Sequence, residues 1–275
     1  MKKMIIPVVL AAIGIFCFSA FAGGLGKSAV TAEAGAKGPG PGPKPADSFK
    51  ILDASAEEKM AVEGSFDPEK ANVPADALVL MTLEGGRGED HGTFRIYTRC
   101  KDTDDRTGCW QQVLVTTAMC GRNGLYKEIE GDKKTPVGIF KMNTPFGILP
   151  SQEGFPPNYV QVDDRFYWVG DSASPMYNRF VRNDIYSDFD KSSSEHLSHY
   201  GGYYDYCIDI GYNPDGTPHK GSAIFLHCVV EGNNTSGCVA IPAADMITAL
   251  KTYQEGLSYM VIYDREDIGA VYKPQ

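Results

Sequence analysis

Residues 223–241 read Ala-Ile-Phe-Leu-His-Cys-Val-Val-Glu-Gly-Asn-Asn-Thr-Ser-Gly-Cys-Val-Ala-Ile. An apolar run carries His227, a polar loop with a glycine follows, and Cys238 stands ahead of a second apolar run. The β-branched and aromatic residues over 221–230 predict a buried strand, whose side chains alternate between two faces. Ile224, Leu226, Cys228 and Val230 then share one face, and Phe225, His227 and Val229 the other. The neighbouring Cys228 therefore cannot be the cysteine that His227 serves. The loop at 231–235 is short enough to return the chain beside the His227 face, which sets Cys238 against the imidazole. Thiol chemistry needs that pairing. A thiol of pKa about 8.5 is little ionised at neutral pH, and an imidazole accepts its proton or, once charged, stabilises the thiolate. Further on, Pro242 is expected to open a helix running to about Tyr253, with Met246, Ile247, Leu250 and Tyr253 on one face and Gly256 as its stop. A cysteine just ahead of a helix start has backbone N–H groups nearby that favour a thiolate and hold an oxyanion.

The segment Thr235-Ser236-Gly237-Cys238-Val239, with His227 upstream, resembles the signature of the L,D-transpeptidase (YkuD-like) family of bacterial cell-wall enzymes. A second stretch, Gly121-Arg122-Asn123-Gly124 followed by Lys134-Thr135-Pro136-Val137-Gly138-Ile139-Phe140, is similar to that family's Thr-Pro-x-Gly-x-Phe segment. The chain departs from the common pattern at three positions: Cys228 replaces a Gly, Ser236 a His, and Ala240 an Arg or Asn. The resemblance implies Cys238 as nucleophile and His227 as base, with Gly237, Ser236 and Thr235 shaping the loop around the oxyanion. Ser194-Glu195-His196-Leu197 also resembles a stretch of some members, which adds Glu195 and His196 as substrate-binding candidates.

By the same resemblance the substrate is a peptidoglycan tetrapeptide stem and the reaction is acyl transfer through a Cys238 thioester, resolved by an amine or by water, with no cofactor. An L,D-carboxypeptidase on the same stems and a non-catalytic wall-binding protein of the same fold are the alternatives. A papain-like peptidase is excluded by order, since it places Cys before His and near the mature N-terminus.

The rest of the chain fits an exported enzyme. Residues 1–22 have two lysines, an apolar run and Ala20-Phe21-Ala22, the layout of a cleavable secretory signal. An uncleaved signal would be a membrane tether, and cleavage is the expectation. Cys17 lacks the flanking residues of a lipid-attachment site. Residues 23–50 form a Gly/Pro-rich linker containing Gly38-Pro39-Gly40-Pro41-Gly42-Pro43, and 51–76 an N-terminal extension with a short helix expected at 56–63. A formal charge of −9 and pI near 5.1 supply no basic field for a nucleic acid.

From residue 77 to 264 the expectation is a mainly β catalytic domain, a sandwich-like or open sheet with a few short helices, and then a tail at 265–275. Strands are predicted at 77–83, 93–99 and 110–118 as parts of an antiparallel sheet. Cys100 and Cys109 face each other across the second hairpin's loop and form the expected disulfide. Cys120, Cys207 and Cys228 are expected as buried core thiols, with a disulfide through Cys207 or Cys228 the rival reading. The aromatics of 143–206 suit long loops that either cover a cleft or pack on themselves. His196 and His199 lie near Asp188, Asp190 and Glu195, but without a His-Glu-x-x-His pattern the expectation is no metal.

Overall fold

The structure, a computed structural model, describes residues 66–100 and 109–274. The expected leader, the Gly/Pro linker and the helix at 56–63 lie outside the described residues. All described residues belong to the compact unit Met60–Gln275.

The strands predicted at 77–83, 93–99 and 110–118 form, each end within two residues of its expected place, among thirteen strands in the described residues. They are β1 (Val79–Gly85), β2 (His91–Arg99), β3 (Trp110–Met119), β4 (Gly138–Lys141), β5 (Pro145–Gly147), β6 (Val160–Gln161), β7 (Phe166–Trp168), β8 (Phe180–Arg182), β9 (Glu195–His196), β10 (Cys207–Asp209), β11 (Phe225–Cys228), β12 (Val239–Ile241) and β13 (Ser258–Asp264), with one α-helix, α1 (Ala243–Thr252). A curled ten-stranded sheet runs β4-β13-β1-β2-β3-β12-β11-β10-β5-β6, and a small sheet runs β8-β7-β9. The fold is mainly β, as expected, but the large sheet is mixed rather than antiparallel. β1 with β13, β11 with β12 and β5 with β6 pair in parallel. In the case of the site, the loop 229–238 carries the chain back to the starting end of β11, so β12 must run the same way.

The strand read over 221–230 is shorter than predicted. Gly221 and Ala223 hold φ of 125° and 53°, which no strand tolerates, and the ladder begins at Phe225. Alternation along it is as expected. Ile224, Leu226 and Cys228 enter a core with Val79, Phe94, Ile241 and the helix residues Met246, Ala249 and Leu250. Phe225 enters a second core with Phe146, Phe166, Trp168, Tyr204, Cys207 and Cys238, beneath the small sheet. Burying such large aromatic side chains contributes roughly 1.5–3 kcal/mol each, which holds the small sheet down on the large one.

A third core lies on the other face of β1 and β13. There Phe66 and Ala71 pack with Leu80, Tyr97, Tyr263 and Val271. Ala71 bridges to Tyr272, and the Asp67 N–H donates to the Tyr272 hydroxyl at 2.7 Å. The segments flanking residues 77–264 therefore clasp each other over the sheet. Cys100 and Cys109 are disulfide-bonded, while Cys120, Cys207, Cys228 and Cys238 are free and buried.

Candidate active site

Parallel register places the two principal residues. Leu226 pairs with Val239 and His227 with Ala240, so Cys238 stands level with Phe225. The Phe225 N–H donates to Cys238 Sγ at 3.3 Å, and the thiol donates to the Ala223 carbonyl at 3.2 Å. His227 is two residues further along on the same face, a rise of about 7 Å. Among the described residues no hydrogen bond joins His227 to Cys238. Both face one cleft of about 610 Å³, together with Trp168, Tyr200, Tyr203 and Tyr204. Handing over the proton requires the thiol to leave the Ala223 carbonyl and turn toward the ring, the tightening that substrate binding brings about in many sites.

The imidazole is preset for that handover. His227 Nδ1 lies 2.8 Å from the Cys228 carbonyl oxygen. A carbonyl only accepts, so Nδ1 carries the proton and Nε2 keeps its lone pair. Tyr203 and Tyr204 meet the ring edge-on, at 6.1 and 5.6 Å between centroids, and hold its plane. Neither Asn233 nor Asn234 orients it: Asn234 Nδ2 donates to Asp90 at 2.8 Å, and Asn233 Nδ2 reaches only the Glu231 carbonyl.

Burial sets the charge state. It lowers the His227 pKa to about 4, against the bond to the Cys228 carbonyl. It raises Cys238 to about 12, helped by the charge of Glu195 and opposed by the Phe225 N–H and Lys127. The resting pair is therefore a neutral thiol beside a neutral imidazole. This corrects the expectation of a thiolate favoured by a helix start. Val239, Ala240 and Ile241 are apolar and extend as β12, which keeps the first turn of α1 away from the sulfur. A measurable consequence follows from the sign of the shift, because the thiolate fraction grows tenfold per pH unit below the pKa. Alkylation of Cys238 by iodoacetamide, followed by peptide mass mapping, is expected to keep rising from pH 7 through pH 10. A plateau near pH 8.5, the behaviour of a free thiol, would contradict the buried neutral state.

The loop is held by two threonines. Thr235 Oγ1 donates to the Cys238 carbonyl at 2.7 Å and accepts from the Gly237 N–H at 3.2 Å. Thr135, in the second family-like stretch, donates to the Gly237 carbonyl at 2.8 Å and accepts from the Gly121 N–H at 2.8 Å. Gly237 itself has φ of 140°, and a Cβ there would lie 2.8 Å from the Lys134 carbonyl oxygen. No larger residue fits. Thr235 engages the Gly237 N–H, so the Cys238 N–H is the next donor this turn can offer to an oxyanion.

Thr135 is fully buried. Thr135→Val keeps the shape but strands two backbone groups at about 1–3 kcal/mol each. The expected loss is about 2–6 kcal/mol in urea unfolding, with weaker acylation, and an unchanged midpoint would show that Thr135 does not carry the loop.

Of the other candidates, Glu195 and Ser236 line the cleft and His196 does not. Neighbours on a strand face opposite ways. On β9 Glu195 takes the cleft side, where burial raises its pKa to about 7 and the Tyr204 hydroxyl donates to it at 2.6 Å. His196 stacks instead on Tyr167, 4.3 Å away.

Several site residues escaped the sequence reading. Arg122 and Glu130 line the cleft. Asn178 sits beneath the cysteine, accepting from Trp168 Nε1 at 2.7 Å and from the Ala223 N–H at 3.1 Å while donating to the Tyr212 and Asn213 carbonyls. It holds the N–H of Ala223, the residue whose carbonyl receives the thiol. Arg122 lay within a quoted motif, but nothing in the spacing marks Asn178. The aromatics of 143–206 fulfil both readings, since Trp168, Tyr200, Tyr203 and Tyr204 wall the cleft and Phe146, Phe166 and Phe180 pack on one another.

His227 on β11 and Cys238 directly ahead of the parallel β12, reached through a Ser-Gly-Cys loop, thus face one cleft. The family model of the L,D-transpeptidase catalytic domain (YkuD) matches residues 103–262, more than half of the chain, and the chain belongs to that family. Two solved structures of the helical cell shape determining protein Pgp2 from Campylobacter jejuni, one a point mutant, are similar to it, each at a TM-score of 0.42. Their identities are 14% and 13%, over 77% and 74% of this chain and 55% and 52% of theirs. The chain thus spans about half the length of the structures it matches. No curated protein matches it in sequence.

Proposed function

We propose that the chain is an exported, cysteine-dependent L,D-transpeptidase that cross-links peptidoglycan stem peptides through a Cys238 thioester. The observation that carries this reading is the placement of His227 on β11 and Cys238 directly ahead of the parallel β12, both lining one cleft. His227 Nε2 takes the thiol proton as the sulfur attacks the donor carbonyl, and the Cys238 N–H holds the oxyanion. The imidazolium then returns that proton to the departing amine as the C–N bond breaks. A thioester remains. An incoming amine loses its proton to Nε2 as it attacks, and the thiolate leaves to be protonated again.

Arg122 supports the carboxylate end of such a peptide, and Glu130 and Glu195 support its amines. Ala240, buried in β12, stands where the family pattern has Arg or Asn, and Arg122 lines the cleft. Export is supported by the leader-like residues 1–22 and by the Cys100–Cys109 disulfide, a bond that persists in oxidising compartments.

The test is intact-mass spectrometry of the chain without its first 22 residues, incubated with a disaccharide-tetrapeptide. An adduct at Cys238 with dimeric stems establishes transpeptidation. An adduct with shortened stems alone makes the enzyme an L,D-carboxypeptidase, and neither product nor adduct leaves a wall-binding protein.

A further inference from the structure

The turn ahead of β7 carries Asp164, and antiparallel pairing of Tyr167 with His196 brings that turn beside β9 and the short helical turn Leu197–His199. Three side chains from these segments converge outside the cleft. One ligand atom from each of Asp164, His196 and His199 lies within 4.8 Å of the other two. The two imidazoles lie 3.8 Å apart between centroids at 45°, and among the described residues no hydrogen bond links them.

We propose that Asp164, His196 and His199 form a binding site for a divalent cation of the zinc class. Two imidazoles and one carboxylate are borderline ligands that suit this ion, with a fourth position open to water. A tetrahedron with bonds of about 2.0–2.1 Å has ligand atoms roughly 3.3 Å apart. Closing to that size needs side-chain rotation only, because Asp164 is 86% exposed and His199 lies at the surface.

The surroundings orient the ligands in the way metal sites require. Tyr167 stacks on His196 at 10° between planes, and the Ser198 hydroxyl donates to Asp164 Oδ1 at 2.7 Å. His196 Nε2 already faces Asp164, 2.9 Å from its carbonyl oxygen and 4.0 Å from Oδ1. A cation exchanges that hydrogen bond for coordination, the ring proton moving to Nδ1. The site is separate from Cys238 and His227, and its effect on the cleft is mechanical. It ties the β7 turn to the segment that continues directly into Tyr200, Tyr203 and Tyr204, three walls of the cleft.

The experiment is titration of the chelator-treated chain with Zn²⁺ by calorimetry and with Co²⁺ by absorption. Expected are one saturable site, a raised unfolding midpoint, and cobalt d–d bands without a thiolate charge-transfer band. His199→Ala and Asp164→Asn, both at the surface, are expected to fold as the parent does by circular dichroism and to weaken binding at least about 100-fold each. The proposal is overturned by the lack of a saturable site, by variants that bind as the parent does, or by a thiolate band that moves the metal to the cysteines.

Discussion

Cys238→Ala is expected to abolish both the covalent adduct and the turnover of tetrapeptide stems, a loss of at least about 10⁴-fold. Every bond made to the donor in the first half-reaction is made by this sulfur. Arg122, Glu195 and the aromatic wall also line the cleft, and none of them offers a thiol. Alanine fits the same space, since Cys238 packs with Phe225 and Trp168 in an apolar core. The variant should therefore stay folded and still bind stems by calorimetry. A Cys238→Ala protein that continues to cross-link stems would remove the whole assignment.

His227→Ala is expected to slow acylation by about 10⁴-fold, the upper end of what a positioned base supplies. The size follows from burial. With burial pushing the Cys238 thiol up to about 12, little of it is ionised at pH 7, so attack depends on proton removal at the moment it happens. The pH dependence separates this role from a packing role. Without the base, attack draws on the thiolate fraction alone, and the acylation rate of His227→Ala should climb about tenfold per pH unit from 6 to 9. A variant within tenfold of the parent, or one lacking that climb, would show that the imidazole is not the base.

The common face of His227 and Cys238 was legible in the chain before any fold was known. Alternation along 223–230 separated Cys228 from His227, and the packing of Cys228 against Leu226 and Ile241 agrees with it. Local pattern sufficed because strand periodicity is set by the backbone of a few consecutive residues. The helix face of Met246 and Leu250, the Cys100–Cys109 bridge and the buried state of the other cysteines were legible for the same reason.

The parts that misled or stayed hidden depend on residues far apart in sequence. Glu195 and His196 were indistinguishable until β9 was placed on β7, because a two-residue strand has no pattern of its own. Asp164 is 32 residues from His196, so the sequence offered Asp188, Asp190 and Glu195 as the nearer partners. In the fold, Asp190 caps a helical turn through Ser192 instead.

What the sequence by itself determined is the mainly β character, the family's motifs and the shared face of His227 and Cys238, the proposed base and nucleophile, all carried by short-range periodicity and spacing. Only the tertiary structure decided that β11 and β12 run in parallel, that Thr135 and Asn178 brace the cysteine turn, and that the pair rests neutral. The bracing and the neutral pair come from hydrogen bonds across more than 40 residues of chain, as in Asn178 to Ala223 and Thr135 to Gly237, and from desolvation, which no local pattern encodes.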